Sequence, residues 1–310
     1  MSELRIATRK SPLALWQAEH VAALLRAAHP GLQIELLPLT TRGDVLLDSP
    51  LAAIGGKGLF IKELERAILA DEADLAVHSM KDVPAALPDG LALAAVTRRE
   101  DPHDALVSPR YASLAQLPEG ARVGTCSLRR QAQLLAWRPD LCIVPLRGNV
   151  NTRLAKLDAG EYDAIVLAAA GLQRLGLDGR IRERIDFGKC LPAIGQGIMG
   201  IECRSDAEHV HTLLRAVNHP ETALCLAAER AFGARLEATC QVPLAGYAQL
   251  LPAQQIRLRT LVAATDGSRS LQDERSGPAQ EAPLLGEQAA EHLLQQGADS
   301  LLAELRAEHG

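Results

Sequence analysis

The first two thirds of the chain alternate between two hydrophobic periods, one typical of strands and one typical of helices. Residues 4–8 alternate apolar and polar side chains, and residues 13–28 repeat apolar side chains at helical spacing. Between them, Ser11 can cap the helix and Pro12 can occupy its first position. The chain is therefore predicted to begin with a strand, a turn and a helix.

The same alternation recurs further along the chain. We predict strands at residues 34–39, 74–78, 122–124, 142–146 and 163–170. We predict helices at residues 60–70, 127–137, from a cap at Asn149 or Asn151 through Asp158, and 171–175. Strands that alternate with helices indicate parallel sheets, whose ligand crevice lies at the carboxyl ends of the strands.

A different pattern follows Asn218-His219-Pro220. It predicts a helix at 221–236, a hairpin turn at Asp266-Gly267 between strands 255–264 and 268–274, and a closing helix at 286–307. The sequence therefore predicts an α/β protein of two lobes with mixed, mainly parallel sheets plus a small C-terminal α+β domain. The expected boundaries are 1–97 with 198–217 for lobe 1, 103–192 for lobe 2 and 220–310 for the C-terminal domain.

Composition narrows the class of protein. No apolar stretch reaches the roughly 18–20 residues of a membrane span, and the start lacks the apolar region of an export signal, so we expect a cytoplasmic protein. The six cysteines form no C-x-x-C pair and the nine histidines show no ligand spacing, so we expect neither a metal nor a disulfide framework.

The net charge of −5 is unevenly spread, because residues 101–191 alone are positive. This excess is small, and with 3 Phe, 3 Tyr and 2 Trp few rings could stack on bases, so we expect no nucleic acid partner. A small anionic ligand is a better candidate partner than nucleic acid.

Four polar motifs with arginine or lysine follow predicted strands: ATRKSP (7–12), HSMKDVP (78–84), GTCSLRR (124–130) and LRGNVNTR (146–153). Such turns suit a ligand with several carboxylates or phosphates.

Asp82 is the candidate catalytic group in these motifs. It lies beside Lys81 and before the stiff Val83-Pro84 pair, although an Asp-Lys pair is often only a surface ion pair. Arg129 and Arg130 fall in the first turn of a helix, where the helix dipole disfavours cations, so they require an anion. Four hydroxyl residues are turn or cap residues that can also contact an anion: Ser11, Ser79, Thr125 and Ser127.

Two further segments have weaker signals. Gly55 to Gly58 with Lys57 lacks the spacing of a phosphate-binding loop, and a mobile lid is the better interpretation. Cys240, taken alone, is interpreted as a buried thiol.

Nine motifs occur in the order seen in the hydroxymethylbilane synthase, or porphobilinogen deaminase, family, which the chain resembles from about Leu4 to Leu305. They are ATRKSPLALWQ, TRGDVLLD, GGKGLF, DLAVHSMKDVP, REDPHDALVS, GTCSLRRQAQL, LRGNVNTRL, LPAIGQG and CQVPLAGYA. The resemblance implies a transferase of tetrapyrrole biosynthesis that joins four porphobilinogen molecules head to tail, releases ammonia at each step and hydrolyses off hydroxymethylbilane.

The resemblance also implies site residues. Asp82 matches the catalytic aspartate, and Cys240 matches the cysteine that carries a covalent dipyrromethane cofactor through a thioether. The implied cofactor-binding residues are Asp44, Ser79, Lys81, Thr125, Ser127, Arg129, Arg130 and Arg153. The implied substrate-binding residues are Arg9, Ser11, Arg147, Arg174 and Gln196. Lys57 and Phe60 match the mobile loop.

The implied fold has two lobes similar to those of periplasmic solute-binding proteins. Nothing in the sequence demands more than a monomer, so a monomer is the expected state. The chain departs from the family at Cys126, where serine is usual, and at Ala238-Thr239, where a Gly-Gly pair is common. If those glycines have positive φ, the replacements strain the loop by ~1–3 kcal/mol and slow cofactor loading.

Two other classes share some of these features. A non-catalytic two-lobe binding protein for a small polycarboxylate would have the same arginine-rich cleft, but it predicts an export signal and no C-terminal cysteine loop. A phosphate-ester enzyme would require an acidic metal cluster or a true phosphate loop.

Overall fold

A computed structural model describes residues 3–41, 43, 61–237 and 242–309 of the chain, with side chains through residue 304. Strands and helices alternate in its first two thirds. The strands are β1 (Glu3–Arg9), β2 (Gln33–Leu39), β3 (Leu75–Ser79), β4 (Leu91–Val96), β5 (Asp104–Val107), β6 (Arg122–Gly124), β7 (Cys142–Val144), β8 (Ala164–Ala168), β9 (Ile181–Ile185) and β10 (Met199–Arg204). The helices are α1 (Pro12–Ala28), α2 (Lys62–Leu69), α3 (Leu128–Trp137), α4 (Val150–Asp158), α5 (Ala169–Arg174) and α6 (Glu208–Leu214).

These strands form two five-stranded sheets, in the orders β2-β1-β3-β10-β4 and β7-β6-β8-β5-β9. We call the first sheet with its helices lobe 1 and the second lobe 2. In lobe 1, β10 alone runs against the other strands, and in lobe 2, β5 does so. Each of these reversed strands is reached by a segment that crosses from the other lobe. The predicted mixed, mainly parallel sheets are confirmed.

The two crossing segments, residues 97–103 and 186–198, lie side by side. Glu100 donates its backbone N–H to the carbonyl of Gly197 at 3.0 Å. Gly197 has a φ of +85°, and a Cβ at this position would lie 2.6 Å from the Glu100 carbonyl oxygen. Only glycine fits such a conformation and such a close approach, so the GQG sequence is what lets the crossings pack together.

The C-terminal domain has a three-stranded antiparallel sheet covered by helices. Its elements are α7 (Pro220–Arg235), β11 (Leu244–Leu251), β12 (Gln255–Ala263), β13 (Ser270–Pro278), α8 (Ala282–Gln295) and α9 (Ala298–His309). Strand β11 is absent from the sequence prediction. The predicted single closing helix is wrong: Gly297, with a φ of +94°, ends one helix and lets a second begin. None of the helices in the described ranges is long and apolar enough to span a membrane.

Glu229 of α7 joins this domain to both crossing segments. Its side chain is fully buried, and Oε1 accepts hydrogen bonds from Nη2 of Arg99 and from the backbone N–H of Ala248, both at 2.7 Å. Oε2 accepts from the backbone N–H of Gly195 at 2.8 Å. One carboxylate therefore ties the first crossing, the second crossing and β11 together.

Replacing Glu229 by glutamine is expected to lower the free energy of unfolding by about 3–5 kcal/mol, because Arg99 loses its counter-charge in a buried position. The measurement is the urea unfolding curve. The matched control is Glu291→Gln, which breaks an ion pair with Arg235 whose two side chains are about half exposed and is expected to cost about 0–1 kcal/mol. Equal losses of unfolding free energy in the two variants would contradict the role assigned to Glu229.

Candidate active site

The four polar motifs lie beyond the carboxyl ends of parallel strands, as predicted. Two follow β1 and β3 of lobe 1, and two follow β6 and β7 of lobe 2. The charges of Arg129 and Arg130 in lobe 2 act on Lys81 in lobe 1, and the charge of Asp82 in lobe 1 acts on Arg153 in lobe 2. The two edges therefore face one another across a cleft.

Asp82 lies in a single 3-10 turn, Met80–Asp82, directly after β3. Met80 is 1% exposed, and its backbone N–H donates to the carbonyl of Ile198 at 3.0 Å, so the buried methionine fixes the turn against the second crossing. Asp82 is half-buried and Lys81 is exposed, and both remain available to the cleft. Because Met80 is buried and the next two residues are not, this tight turn presents Lys81 and Asp82 together.

Arg230 of the C-terminal domain secures the same turn from the other side. Its Nη2 donates to the carbonyls of Pro84 and Ala85 at 2.9 and 2.8 Å. Burial lowers the pKa of this guanidinium. The role of Arg230 was not predictable from the sequence, because nothing in a helix pattern indicates that one arginine reaches a loop about 145 residues earlier.

The Asp82 carboxylate accepts no hydrogen bond from any residue in the described part of the chain. Its charge acts on two cations, Lys81 and Arg153. It is therefore a carboxylate held by its backbone near positive charges, and it forms no ion pair with another residue of the described ranges.

Lys81 is exposed by surface area, yet protein atoms surround its ammonium in the cleft. Hydration of a charge depends on the volume of water around it, so this crowding lowers the pKa of Lys81 to about 8, with the charge of Arg130 adding to the effect and that of Asp82 opposing it. Lys81 can therefore change its charge close to neutral pH.

Arg129 and Arg130 lie in the first turn of α3, and their side chains are buried. Both bind one carboxylate, Asp104, at 2.7 Å. Burial would raise the pKa of Asp104, but the two guanidinium groups hold it far below its usual range. Two cations in the first turn of a helix require an anion, and Asp104 supplies part of that negative charge from within the protein. The sequence did not indicate this role for Asp104.

Arg153 is a half-buried cation in a different setting from Arg129 and Arg130. Its Nε donates to the carbonyl of Gly148 at 2.7 Å, and it forms no ion pair with a carboxylate in the ranges described. Burial and the charge of Arg130 lower its pKa. A ligand carboxylate beside Arg153 would offset both the burial of its charge and the repulsion from Arg130.

The hydroxyl residues occupy the predicted caps and turns. Ser11 accepts from the N–H of Ala14 at 3.3 Å, and Ser127 accepts from the N–H of Arg130 at 3.4 Å. Thr125 accepts from the N–H of Ser127 at 3.1 Å, and Ser79 accepts from Nε2 of Gln17 at 2.8 Å. Their second role, contact with an anion, stays a prediction.

Two predicted substrate residues belong to the crossing segments or contact them. Arg174 donates from Nε to Glu100 at 2.9 Å and from Nη2 to the carbonyl of Gly197 at 3.1 Å. Gln196 is 1% exposed and donates to the carbonyl of Pro102 at 2.7 Å. Arg9 is the last residue of β1 and Arg147 follows β7, and both residues are half-buried.

Four predicted site residues lie outside the described residues: Asp44, Lys57, Phe60 and Cys240. The Ala238-Thr239 departure also lies there. On the N-terminal side of Cys240, the chain leaves α7 through Glu237, which has a left-handed φ of 50°. The five cysteines within the described ranges are free, and these ranges hold no cluster of three or more His, Cys, Asp or Glu side chains that could bind a metal.

Solved structures with a similar chain course are distant in sequence. A lipoprotein from Bacillus subtilis aligns over 70% of this chain and 91% of its own, at 15% identity and a TM-score of 0.43. The methionine-binding protein MetQ aligns over 69% of this chain and 89% of its own, at 17% identity and 0.45. The periplasmic VFT2 domain of BvgS from Bordetella pertussis aligns over 70% and 86%, at 17% identity and 0.41.

Family profiles match nearly the whole chain. Residues 4–212 match "Porphobilinogen deaminase, dipyromethane cofactor binding domain", and residues 223–295 match "Porphobilinogen deaminase, C-terminal domain". The first match includes the Asp82 turn and the arginines of lobe 2. The chain therefore belongs to the porphobilinogen deaminase family, the transferases that make hydroxymethylbilane in tetrapyrrole biosynthesis.

Proposed function

We propose that Asp82 is the catalytic carboxylate with which this enzyme condenses porphobilinogen units, and that Cys240 anchors the dipyrromethane cofactor through a thioether. The observation that carries the proposal is the Asp82 carboxylate itself, which accepts no hydrogen bond within the described ranges and faces cations of both lobes. A carboxylate kept out of ion pairs is available to compensate a positive charge that appears only during reaction.

The residues around the cleft fit a cofactor with several carboxylates. Lys81, Arg129, Arg130 and Arg153 bring four positive charges, whereas Asp82 and Asp104 bring two negative ones. Arg153 in particular is a half-buried cation without a carboxylate partner in the described part of the chain. These four cations, with Ser79, Thr125, Ser127 and Asp44, would hold the dipyrromethane, which when bound would supply the nucleophilic pyrrole that accepts the first new unit.

Asp82 acts on the incoming porphobilinogen. When the C–N bond of the protonated aminomethyl substituent breaks and ammonia leaves, the methylene-pyrrole that remains is cationic, and the Asp82 carboxylate lowers the energy of that charge. Oδ1 or Oδ2 of Asp82 is also the group that takes up or returns a proton at the pyrrole nitrogen. The stiff turn before Pro84, secured by Arg230, keeps this carboxylate in one position.

The incoming substrate carries an acetate and a propionate. We assign their recognition to Arg9, Ser11, Arg147, Arg174 and Gln196. Arg174 already uses Nε and Nη2 for Glu100 and Gly197, which leaves Nη1 for a substrate carboxylate. Lys57 and Phe60 are assigned to the loop that covers the site.

The proposed chemistry is tested by incubating the purified protein with porphobilinogen. We expect release of ammonia and hydroxymethylbilane, and intact mass spectrometry should show the protein with successive additions of pyrrole units. A protein that binds porphobilinogen but releases no ammonia and gains no covalent mass would instead be a binding protein, and the proposal would be rejected.

The rate at which the cofactor-free protein loads cofactor from porphobilinogen is expected to fall as pH rises through about 8, because Lys81 is charged below its pKa of about 8 and neutral above it. In Lys81→Arg the side chain stays charged, so this decline should disappear. The loading rate is measured by intact mass spectrometry as a function of time at pH 7 to 9. Lys156→Arg, on α4, is the control and should keep the decline, and a decline that persists in Lys81→Arg would contradict the assignment.

A further inference from the structure

Asp104, the first residue of β5, lies behind the two arginines of α3. We infer that Asp104 is a positioning residue that fixes the guanidinium groups of Arg129 and Arg130 at the edge of lobe 2, in the arrangement that receives ligand carboxylates. The inference rests on the proposed role of these arginines in cofactor binding.

The Asp104 carboxylate accepts hydrogen bonds from the side chains of both Arg129 and Arg130. Asp104 is 0% exposed. Its Oδ1 accepts from Nε and Nη2 of Arg130 at 2.9 and 2.7 Å, and its Oδ2 accepts from Nη1 of Arg129 at 2.7 Å. Backbone carbonyls complete the set, because Arg129 also donates to Leu191 at 2.7 Å and Arg130 to Val166 at 2.9 Å. Neither guanidinium can rotate without breaking several charged hydrogen bonds.

The same carboxylate connects the arginines to both crossing segments. Asp104 directly follows the first crossing, and its Oδ1 accepts from Nε2 of Gln196 in the second crossing at 3.1 Å. Gln196 also donates to the carbonyl of Pro102 at 2.7 Å. The arginines are therefore fixed relative to the segments that join the lobes, and not only relative to lobe 2.

The net charge of this cluster differs from that of an ordinary buried ion pair. One carboxylate balances only one of two buried guanidinium groups, so a positive charge is left over for an anionic ligand.

The test compares two substitutions that separate charge from position. Asp104→Asn keeps the shape and removes the charge, whereas Asp104→Glu keeps the charge and moves the carboxylate by one methylene. The control is Asp101→Asn, in the first crossing, which pairs with His103 and Arg184 and contacts neither arginine of α3. For each, the cofactor-free protein is incubated with porphobilinogen, and the loading rate is followed by intact mass beside the unfolding midpoint.

Asp104→Glu is expected to unfold close to the wild-type midpoint and to load about 10- to 100-fold more slowly, the cost of displacing binding groups by about 1 Å. Asp104→Asn should load as slowly and also unfold earlier, and Asp101→Asn should load like the wild type. The inference is overturned if Asp104→Glu loads at the Asp101→Asn rate, or if it cannot fold. Absence of any cofactor mass in the wild type would instead reject the proposed function.

Discussion

Asp82→Asn is expected to lower kcat by about 10²- to 10⁴-fold, the range typical for loss of a group that transfers protons in the transition state. The amide keeps the shape of the side chain but cannot compensate the positive charge on the reacting pyrrole. Because the backbone turn is held by Met80 and Arg230 rather than by the carboxylate, folding should be unchanged. The measurement combines steady-state rates with intact mass, which should show few or no enzyme molecules carrying added pyrrole units.

The matched control is Asp89→Asn, which removes an exposed carboxylate from the same loop between β3 and β4. It should retain wild-type rates. If Asp82→Asn kept its rate while Asp89→Asn lost it, or if both behaved like the wild type, the catalytic assignment to Asp82 would be wrong.

Cys240→Ser is expected to abolish covalent cofactor. A serine hydroxyl is far less acidic than a thiol, so the anchoring bond that a thiolate can form is not made. The protein should lose the mass increment of two linked pyrroles and all activity that depends on it. Intact mass spectrometry before and after incubation with porphobilinogen measures the first effect, and ammonia release measures the second.

Two other cysteines serve as controls for Cys240. Cys142 is exposed and free, and Cys190 is a buried thiol. Burial, and then the charge of Asp104, raises the pKa of Cys190 to about 12, so its environment disfavours an anchoring thiolate. Cys142→Ser and Cys190→Ser should keep the increment. An increment that survives in Cys240→Ser and disappears in one of the others would move the anchor there.

Local sequence was sufficient to predict where the ligand edge lies. A strand period followed by a cap such as Ser11 or Ser127 fixes the end of a strand and the start of a helix within a few residues. Because parallel strands bring their carboxyl ends to one edge, four separate motifs were predicted to meet, and the sheets place them beyond β1, β3, β6 and β7. The local motif made Asp82 a candidate catalytic group, and the family resemblance supplied the proposed anchoring role of Cys240.

Partners distant in sequence were not predictable in this way. Glu229 accepts from Arg99, which is 130 residues away, and Arg230 reaches the carbonyl of Pro84, which is 146 residues away. Each is one charged residue on a helix, and such residues are usually solvated. Asp104 looked equally ordinary, although it lies only 25 and 26 residues before the arginines that it binds.

The sequence by itself determined the class of fold, the strand ends that carry the cations and the family to which the chain belongs, because these depend on short-range periodicity and on ordered motifs. Only the tertiary structure decided which cations are already paired and which carboxylate is left unpaired among the described residues. That division depends on burial, since a charge removed from water must find a partner, and burial is set by how the lobes and the C-terminal domain pack.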